Sequence, residues 1–165
     1  MSVLCSKVSK TEGETETMSD QIVFFAHGVP KGQPRPRAFY RPGRGVRCFD
    51  PGTAEGWKSE VAAAARGCLP ATPLDGPLRV ELFFYIPRPK DHYRSGKHAD
   101  DLRDSAPKHH VSTPDLDNLA KAVMDCMTRL GFWRDDSQVT TVTAYKYWSG
   151  KQGGGARISV ERVTP

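Results

Sequence analysis

The stretch Pro114–Val139, PDLDNLAKAVMDCMTRLGFWRDDSQV, sets two aspartates two residues apart, Asp115 and Asp117, and later two side by side, Asp135 and Asp136. In an extended segment, residues i and i+2 point to the same side with Cα atoms about 7 Å apart, so Asp115 and Asp117 can converge on one cation. Mg²⁺ prefers hard oxygen ligands, few of them from protein, with water and phosphate supplying the rest. Such ions stabilise the attacking and leaving oxygens in phosphodiester hydrolysis. The plainer account is helix capping: Asp117 can serve as an N-cap, and acids near a helix N-terminus suit the dipole. Capping explains one aspartate, whereas a second carboxylate close by costs repulsion unless a cation is present. Lys121 follows Asp117 by four residues. It is either an i,i+4 ion-pair partner or a cation beside the carboxylates, placed to meet a scissile phosphate.

A helix must present these groups. Leu119, Val123, Met127 and Leu130 recur at helical spacing, and Gly131 is well placed as the C-terminal cap. From Asp117 to Leu130 is about 20 Å of helix. The six residues from Leu130 to Asp136 span at most about 20 Å extended. Asp136 can therefore only just return to Asp117 within one chain. Either the Trp-Arg-Asp-Asp segment runs straight back along the helix, or the cluster is completed across a dimer. The first route is favoured, because residues 139–148 then continue as a strand.

The other elements follow from periodicity and punctuation. Ile22–Ala26 is a short apolar run and reads as a first strand. Glu55–Cys68 is helix-like, with Trp57, Val61 and Ala64 on one face and Gly67 and Pro70 to stop it. Pro77–Ile86 alternates as a strand. Residues 87–113 form a long loop, a kind that is usually functional or mobile. Val139–Trp148 is β-branched and aromatic, hence a strand. Ala156–Val163 is expected to close a hairpin with it across a glycine-rich turn. The expected fold class is α+β: a single-domain mixed β-sheet with two main helices packed on it, in the order β-α-β-α-β-β.

The 165 residues suit one domain, expected over 21–165 behind a disordered polar leader, 1–20. The leader lacks the apolar core of a signal peptide. Met18 stands where structure is expected to begin, which leaves the residues before it either dispensable or an upstream extension. The net charge of +5 and pI of about 9.1 are a modest basic excess. No two of Cys5, Cys48, Cys68 and Cys126 form a C-x-x-C pair, so neither a zinc framework nor a redox motif is indicated, and a reduced, cytosolic chain is the simplest account. Cys126 reads as a small buried hydrophobe. No apolar run approaches the roughly 20 residues that span a membrane.

The basic charge is concentrated. Lys31, Arg35, Arg37, Arg41, Arg44 and Arg47 run without an intervening acid until Asp50, in a segment whose glycines and prolines exclude regular helix. On a flexible loop these cations suit DNA phosphates; the alternative is a solvated loop. Phe39, Tyr40 and Phe49 either stack on unpaired bases or pack in the core. His92, His98, His109 and His110 lie in the long loop at spacings that match no recognised zinc pattern, so phosphate contact or solvation is expected of them. Trp133 reads as a packing anchor rather than a DNA wedge.

The motif PDLDNLAKAVMD…GFWRDDSQV resembles the signature of the RusA family of Holliday-junction resolvases, the phage- and prophage-associated endodeoxyribonucleases. GVPKGQPRPR resembles the family's N-terminal basic element, and PRPKDHYRSGK…APKHHVSTPDLDN resembles the phage-type central loop, so the likeness covers roughly residues 21–148. It implies a dimeric, Mg²⁺-dependent endonuclease, with Mn²⁺ as the alternative ion, that makes paired cuts in four-way DNA junctions during recombination and repair. It implies a bacterial or phage-infected cytoplasm, and neither membrane nor small-molecule cofactor. It further implies that Asp115, Asp117 and Asp136 are the catalytic, metal-holding aspartates and that Lys121 is the essential lysine. The polar leader and the longer His-containing loop depart from the family pattern and bear on substrate preference. Two other functions stay open beside this one: a non-catalytic branched-DNA-binding protein whose acids serve as caps, and a nuclease for flaps or forks.

Overall fold

The strand Leu78–Pro87 decides the layers. Leu78, Val80, Leu82 and Phe84 are 0–1% exposed, while Arg79, Glu81, Phe83 and Tyr85 between them face the other way and stay partly open. One face of the sheet must therefore be covered and the other not. The computed structural model, which describes residues 6–8, 21–34, 37–49 and 52–163, shows that arrangement. Its elements are β1 (Ser6–Val8), β2 (Gln21–His27), β3 (Arg37–Arg41), β4 (Gly45–Phe49), α1 (Glu55–Ala65), β5 (Leu78–Pro87), α2 (Leu116–Leu130), β6 (Val139–Ser149) and β7 (Gly155–Arg162). A five-stranded sheet has the order β1-β2-β7-β5-β6, and β3 and β4 form a separate ribbon. Val61 and Trp57 of α1 join Leu119, Val123 and Met127 of α2 in one core with Phe24, Leu82, Phe84 and Ile158 of the sheet. The expected α+β class, with a mixed sheet and two helices, is what the molecule has.

The helix-free face carries rows of aromatic side chains. Register places Phe25, Arg157, Phe83 and Tyr145 in one row across the sheet, and Tyr85 and Tyr147 in the next. Phe83 stacks on Tyr145 with ring centroids 5.0 Å apart, and the Arg157 guanidinium lies 5.4 Å from the Phe83 centroid.

Several expectations need correction. The hairpin expected between the last two strands does not form: β6 pairs only with β5, in parallel, and β7 lies between β2 and β5, antiparallel to both. The burial pattern explains why. Gly155, Ala156, Ile158, Ser159 and Val160 of β7 are buried, as suits a strand with a neighbour on each side, whereas Thr140, Thr141 and Val142 of β6 are exposed, as an edge strand allows. The glycine-rich turn spans the extra distance. The basic segment expected as a flexible loop folds back as the β3–β4 ribbon, with Arg37 opposite Phe49 and Arg41 opposite Gly45. Gly43 and Gly45 take φ of +75° and +74° in its turn, a conformation that glycine adopts without cost. In the polar leader, Ser6–Val8 pair with Gln21–Val23 as an edge strand, since backbone bonds ask little of side chains; the rest of that leader lies outside the described residues. The long loop 87–113 carries single 3₁₀ turns at Lys90–His92 and Gly96–His98 and a bridge between Tyr93 and Leu102.

Candidate active site

The β5–α2–β6 unit is a crossover between parallel strands, so α2 runs antiparallel to both. Its N-terminus consequently lies at the carboxyl ends of β5 and β6, the end of a parallel pair where ligands commonly bind. Lys146 of β6 marks this: its ammonium donates to the carbonyls of Ser112 and Pro114, each at 2.8 Å. The loop entering α2 is also fastened by Trp148. Arg88 lies 5.4 Å from the indole centroid, His92 meets the ring edge-on at 4.9 Å, and His110 packs on it at 4.1 Å. Two of the loop histidines expected to meet phosphate or solvent are thus packing residues. Burial, with the Lys146 ammonium adding to it, holds the His110 imidazole below its usual range.

The helix itself is cut from an amphipathic pattern. Leu119, Ala122, Val123, Cys126 and Met127 are buried, while Asp117, Lys121 and Arg129 face solvent and Asp125 is half-buried. Gly131 closes it in the left-handed region at φ +81°. Cys126 is buried as expected, its thiol donating to the Lys58 carbonyl at 3.4 Å, and burial pushes its pKa up.

At the start of α2, Asp115 rather than Asp117 occupies the N-cap position, in extended conformation. Its carbonyl accepts the first helical bond, from the Leu119 N–H at 3.0 Å. Among the described residues its carboxylate makes no capping bond to the backbone and accepts one 3.4 Å contact, from the Asn118 amide. Asp117 lies in the first turn, and both carboxylates are exposed. Neither is therefore occupied by the duty that offered the plainer explanation. The segment that follows β2 lies against the same turn: the Gln33 N–H donates to the Asn118 carbonyl at 2.8 Å, and a Cβ on Gly32 would stand 3.0 Å from that of Asn118. Glycine at 32 lets this segment lie on the first turn of α2, which brings exposed Lys31 to the aspartate end. Lys121 is 63% exposed and reaches Asp125 at 3.9 Å rather than Asp117.

The second acidic motif behaves differently. Asp135 caps the 3₁₀ turn Asp136–Gln138: its carboxylate accepts the Ser137 N–H at 2.9 Å, and the Ser137 hydroxyl and N–H together hold its pKa below the ordinary carboxylate range. Gln138 completes the capping box. Its Oε1 accepts the N–H groups of Arg134 and Asp135, and its Nε2 donates to the carbonyls of Leu74 and Gly76. Trp133 is buried and its Nε1 donates to Thr128 Oγ1 at 2.7 Å, as a packing anchor should. That leaves Asp136 exposed, lining a cavity of about 370 Å³ with Gln33, Lys58, Asp125, Thr128 and Arg129.

The structure thus brings Asp115, Asp117, Lys121 and Lys31 to one stretch of surface, and sets Asp136 beside Asp125 in a cavity that Gln33 joins to the first turn of α2. Asp125, beside Asp136, is two helical turns or about 12 Å beyond Asp117. Among the described residues no three His, Cys, Asp or Glu side chains come together. The Trp-Arg-Asp-Asp segment turns back beside Asp125 of α2, fixed there by the Gln138 clamp and Trp133, and strand β6 continues from it. Of the expected DNA contacts, Lys31, Arg41 and Arg44 are exposed, Arg35 lies outside the described residues, and register puts positions 37, 41 and 47 on one face of the β3–β4 ribbon. Lys146 was not singled out from the sequence; a lone lysine in a β-branched and aromatic strand was its only signal.

The model of the family described as endodeoxyribonuclease RusA matches residues 27–161. The chain belongs to the RusA family. A relative in Bacillus subtilis strain 168, the uncharacterised protein YqaN, is 33% identical over 130 residues, covering 79% of this chain and 89% of that protein. The crossover junction endodeoxyribonuclease RusA of Escherichia coli K12 is 41% identical over 49 residues, 30% of this chain and 40% of its own length. For a member of the RusA family, the aspartate pair has a fitting chemistry. Two water-exposed carboxylates, free of capping and two residues apart on one short extended-to-helical segment, are an oxygen-only donor set suited to a hard divalent ion.

Proposed function

We propose that the protein is a metal-dependent endodeoxyribonuclease that resolves four-way DNA junctions by paired phosphodiester hydrolysis, in recombination and repair in the cytoplasm of a bacterial or phage-infected cell. The observation that carries this is the Asp115–Asp117 pair, exposed and unspent on capping, in a chain of the RusA family. Asp115 and Asp117 would hold Mg²⁺, or Mn²⁺ in its place. When bound, the ion supplies Lewis-acid stabilisation of charge at the phosphate and the leaving 3′ oxygen. Lys121, one turn after Asp117, leaves its long contact with Asp125 to stand against the phosphate oxygens. Lys146 fixes the backbone from which Asp115 projects. Lys31 and the arm bearing Arg35, Arg37, Arg41, Arg44 and Arg47 hold the DNA backbone, a salt-dependent contact that reads no sequence.

Asp136 is the third carboxylate of this reading. That no three such side chains come together among the described residues of one protomer supports the second route that chain length allows: it serves the site of a second copy. A homodimer also suits the substrate, since a four-way junction has near two-fold symmetry and a C₂ dimer presents two sites to opposite strands.

The test compares wild type with Asp117→Asn on an immobile four-way junction and its matching linear duplex, with Mg²⁺ or with EDTA. Symmetric nicks at the junction, absent with EDTA and lost in the variant although binding persists, are expected. Binding without cutting in either Mg²⁺ or Mn²⁺ would reject the enzyme in favour of a binding protein. Faster cutting of forks or flaps would reassign the substrate.

A further inference from the structure

A second basic surface lies outside the arm, at the same end of the sheet as the aspartate pair. A cavity of about 570 Å³ opens between the start of the long loop and the β6–β7 turn, walled by Arg88, Lys90, Tyr93, Arg94 and Lys151 over Pro87. Its size is that of a small-ligand site, and none of the described residues lining it is acidic. The turn side is glycine, so a backbone can approach closely there.

The cations are held in place before any ligand arrives. Arg88 donates to the Pro107 carbonyl at 3.0 Å and leans on Trp148. Lys151 lies 5.0 Å from the Tyr93 ring centroid, donates to the Ala99 carbonyl at 2.6 Å and pairs with Asp100. One guanidinium nitrogen of Arg94, Nη2, donates to both carboxylate oxygens of Asp104, at 3.0 and 3.1 Å. The acids in these pairs, Asp100 and Asp104, are 91% and 94% exposed. Ion pairs that open to water are weak and readily exchanged for a better anion. A phosphate can accept from two guanidinium nitrogens of Arg94 at once, where Asp104 engages one.

Position gives the cavity a role. Gly150 lines it, and Lys146, which binds the Pro114 carbonyl beside the aspartate pair, is four residues back along β6. Four residues of strand are about 13 Å, or about four nucleotides at 3.4 Å each along a duplex strand. We propose that this cavity is a second DNA-backbone site. It holds the sugar-phosphate chain of the bound strand about four nucleotides from the aspartate pair, with phosphates on Arg88, Lys90, Arg94 and Lys151 and sugar against Pro87 and Tyr93. The proposal rests on the DNA-cutting reading and adds a binding surface to it.

The test is fluorescence anisotropy with a labelled four-way junction and a labelled single strand, in EDTA so that nothing is cut. The full-length protein is compared with Lys90→Glu/Lys151→Glu and with Asp100→Asn/Asp104→Asn; circular dichroism checks the fold of each. The charge reversal should weaken binding at least about tenfold at low salt and lower the salt slope by about two, one for each phosphate no longer neutralised. The acid-to-amide variant should tighten binding, because it frees Lys151 and Arg94; a purely structural role for these pairs predicts no tightening. Wild-type binding that neither variant alters would overturn the cavity site and leave the nuclease reading standing. A wild type that binds no DNA would overturn both. Competition by deoxynucleoside monophosphate as strong as by the strand, per nucleotide, would make this a free-nucleotide pocket and also overturn the proposal.

Discussion

The two ends of α2 carry the same residue type and use it in opposite ways. At the N-terminal end, Asp115 holds the capping position without using its carboxylate to cap, and Asp117 stands in water beside it. At the C-terminal end, Asp135 spends its carboxylate on the Ser137 N–H, and Gln138 ties four backbone groups around it. One end leaves acids free at the cost of unsatisfied capping; the other consumes an acid and a glutamine to build a rigid corner. The difference separates residues that hold the chain from residues left over for chemistry, and Asp136 is the leftover of the second corner.

The sharpest way to break this comparison is to neutralise the free pair. Asp115→Asn or Asp117→Asn should cut the junction-nicking rate by at least about 10³-fold, on the order of 4 kcal/mol at the barrier. The melting temperature should stay within about a degree, because neither carboxylate supports the helix backbone. A variant that melted several degrees lower while still cutting would return the pair to helix capping.

The clamp should show the reverse. Gln138→Ala strips partners from the N–H groups of Arg134 and Asp135 and from the carbonyls of Leu74 and Gly76. A loss of about 1 kcal/mol in urea unfolding is expected, since the Leu74 carbonyl is left partly buried without this partner while the other three groups turn to water. Asp136→Asn in the same corner should leave stability unchanged. Equal destabilisation by the two substitutions would mean that Asp136 too belongs to the scaffold.

Much of this was legible in advance, for physical reasons. Period-two and period-3.6 patterns marked β2, β5, β6, β7, α1 and α2, because each buries at least one face. Strand order was not legible, since alternation says which face is buried and not which neighbour pairs; β7 betrayed its interior place only through Gly155 and Ser159 being buried on its second face. The β3–β4 ribbon hid among glycines and prolines that fit a turn as well as a loop. The four acids were visible, but their division of labour was not. The Asp-x-x-Gln spacing of Asp135 and Gln138 is itself a capping-box signature, and it was the available signal that one of the two neighbouring aspartates is structural. Nothing in one-dimensional spacing could reveal that Trp148 gathers Arg88, His92 and His110.

A smaller effect tests whether the two ends meet across protomers. Asp117→Asn and Asp136→Asn should each be inactive alone. If the third acid serves a second copy, half of a randomly reassorted mixture is mixed dimer, and one of the two sites in each is intact. About a quarter of wild-type activity should then return on mixing, under C₂ symmetry. No recovery, with subunit exchange verified by native mass spectrometry, would place all three acids in one protomer's site and require the corner to move.

The smallest effect is in acid. The Asp135 carboxylate is held below its ordinary range by the Ser137 hydroxyl and N–H. A group whose pKa is lower folded than unfolded gives up more protons on folding, so its support is full above the ordinary carboxylate range and disappears as pH falls through the folded value. Asp135→Asn should therefore lower the melting temperature slightly at neutral pH and less and less below about pH 4, until the two proteins melt together. A melting-temperature difference that stayed the same at neutral pH and below about pH 4 would mean that the ionised Asp135 carboxylate does not brace the corner, and the contrast between the two ends of α2 would fail.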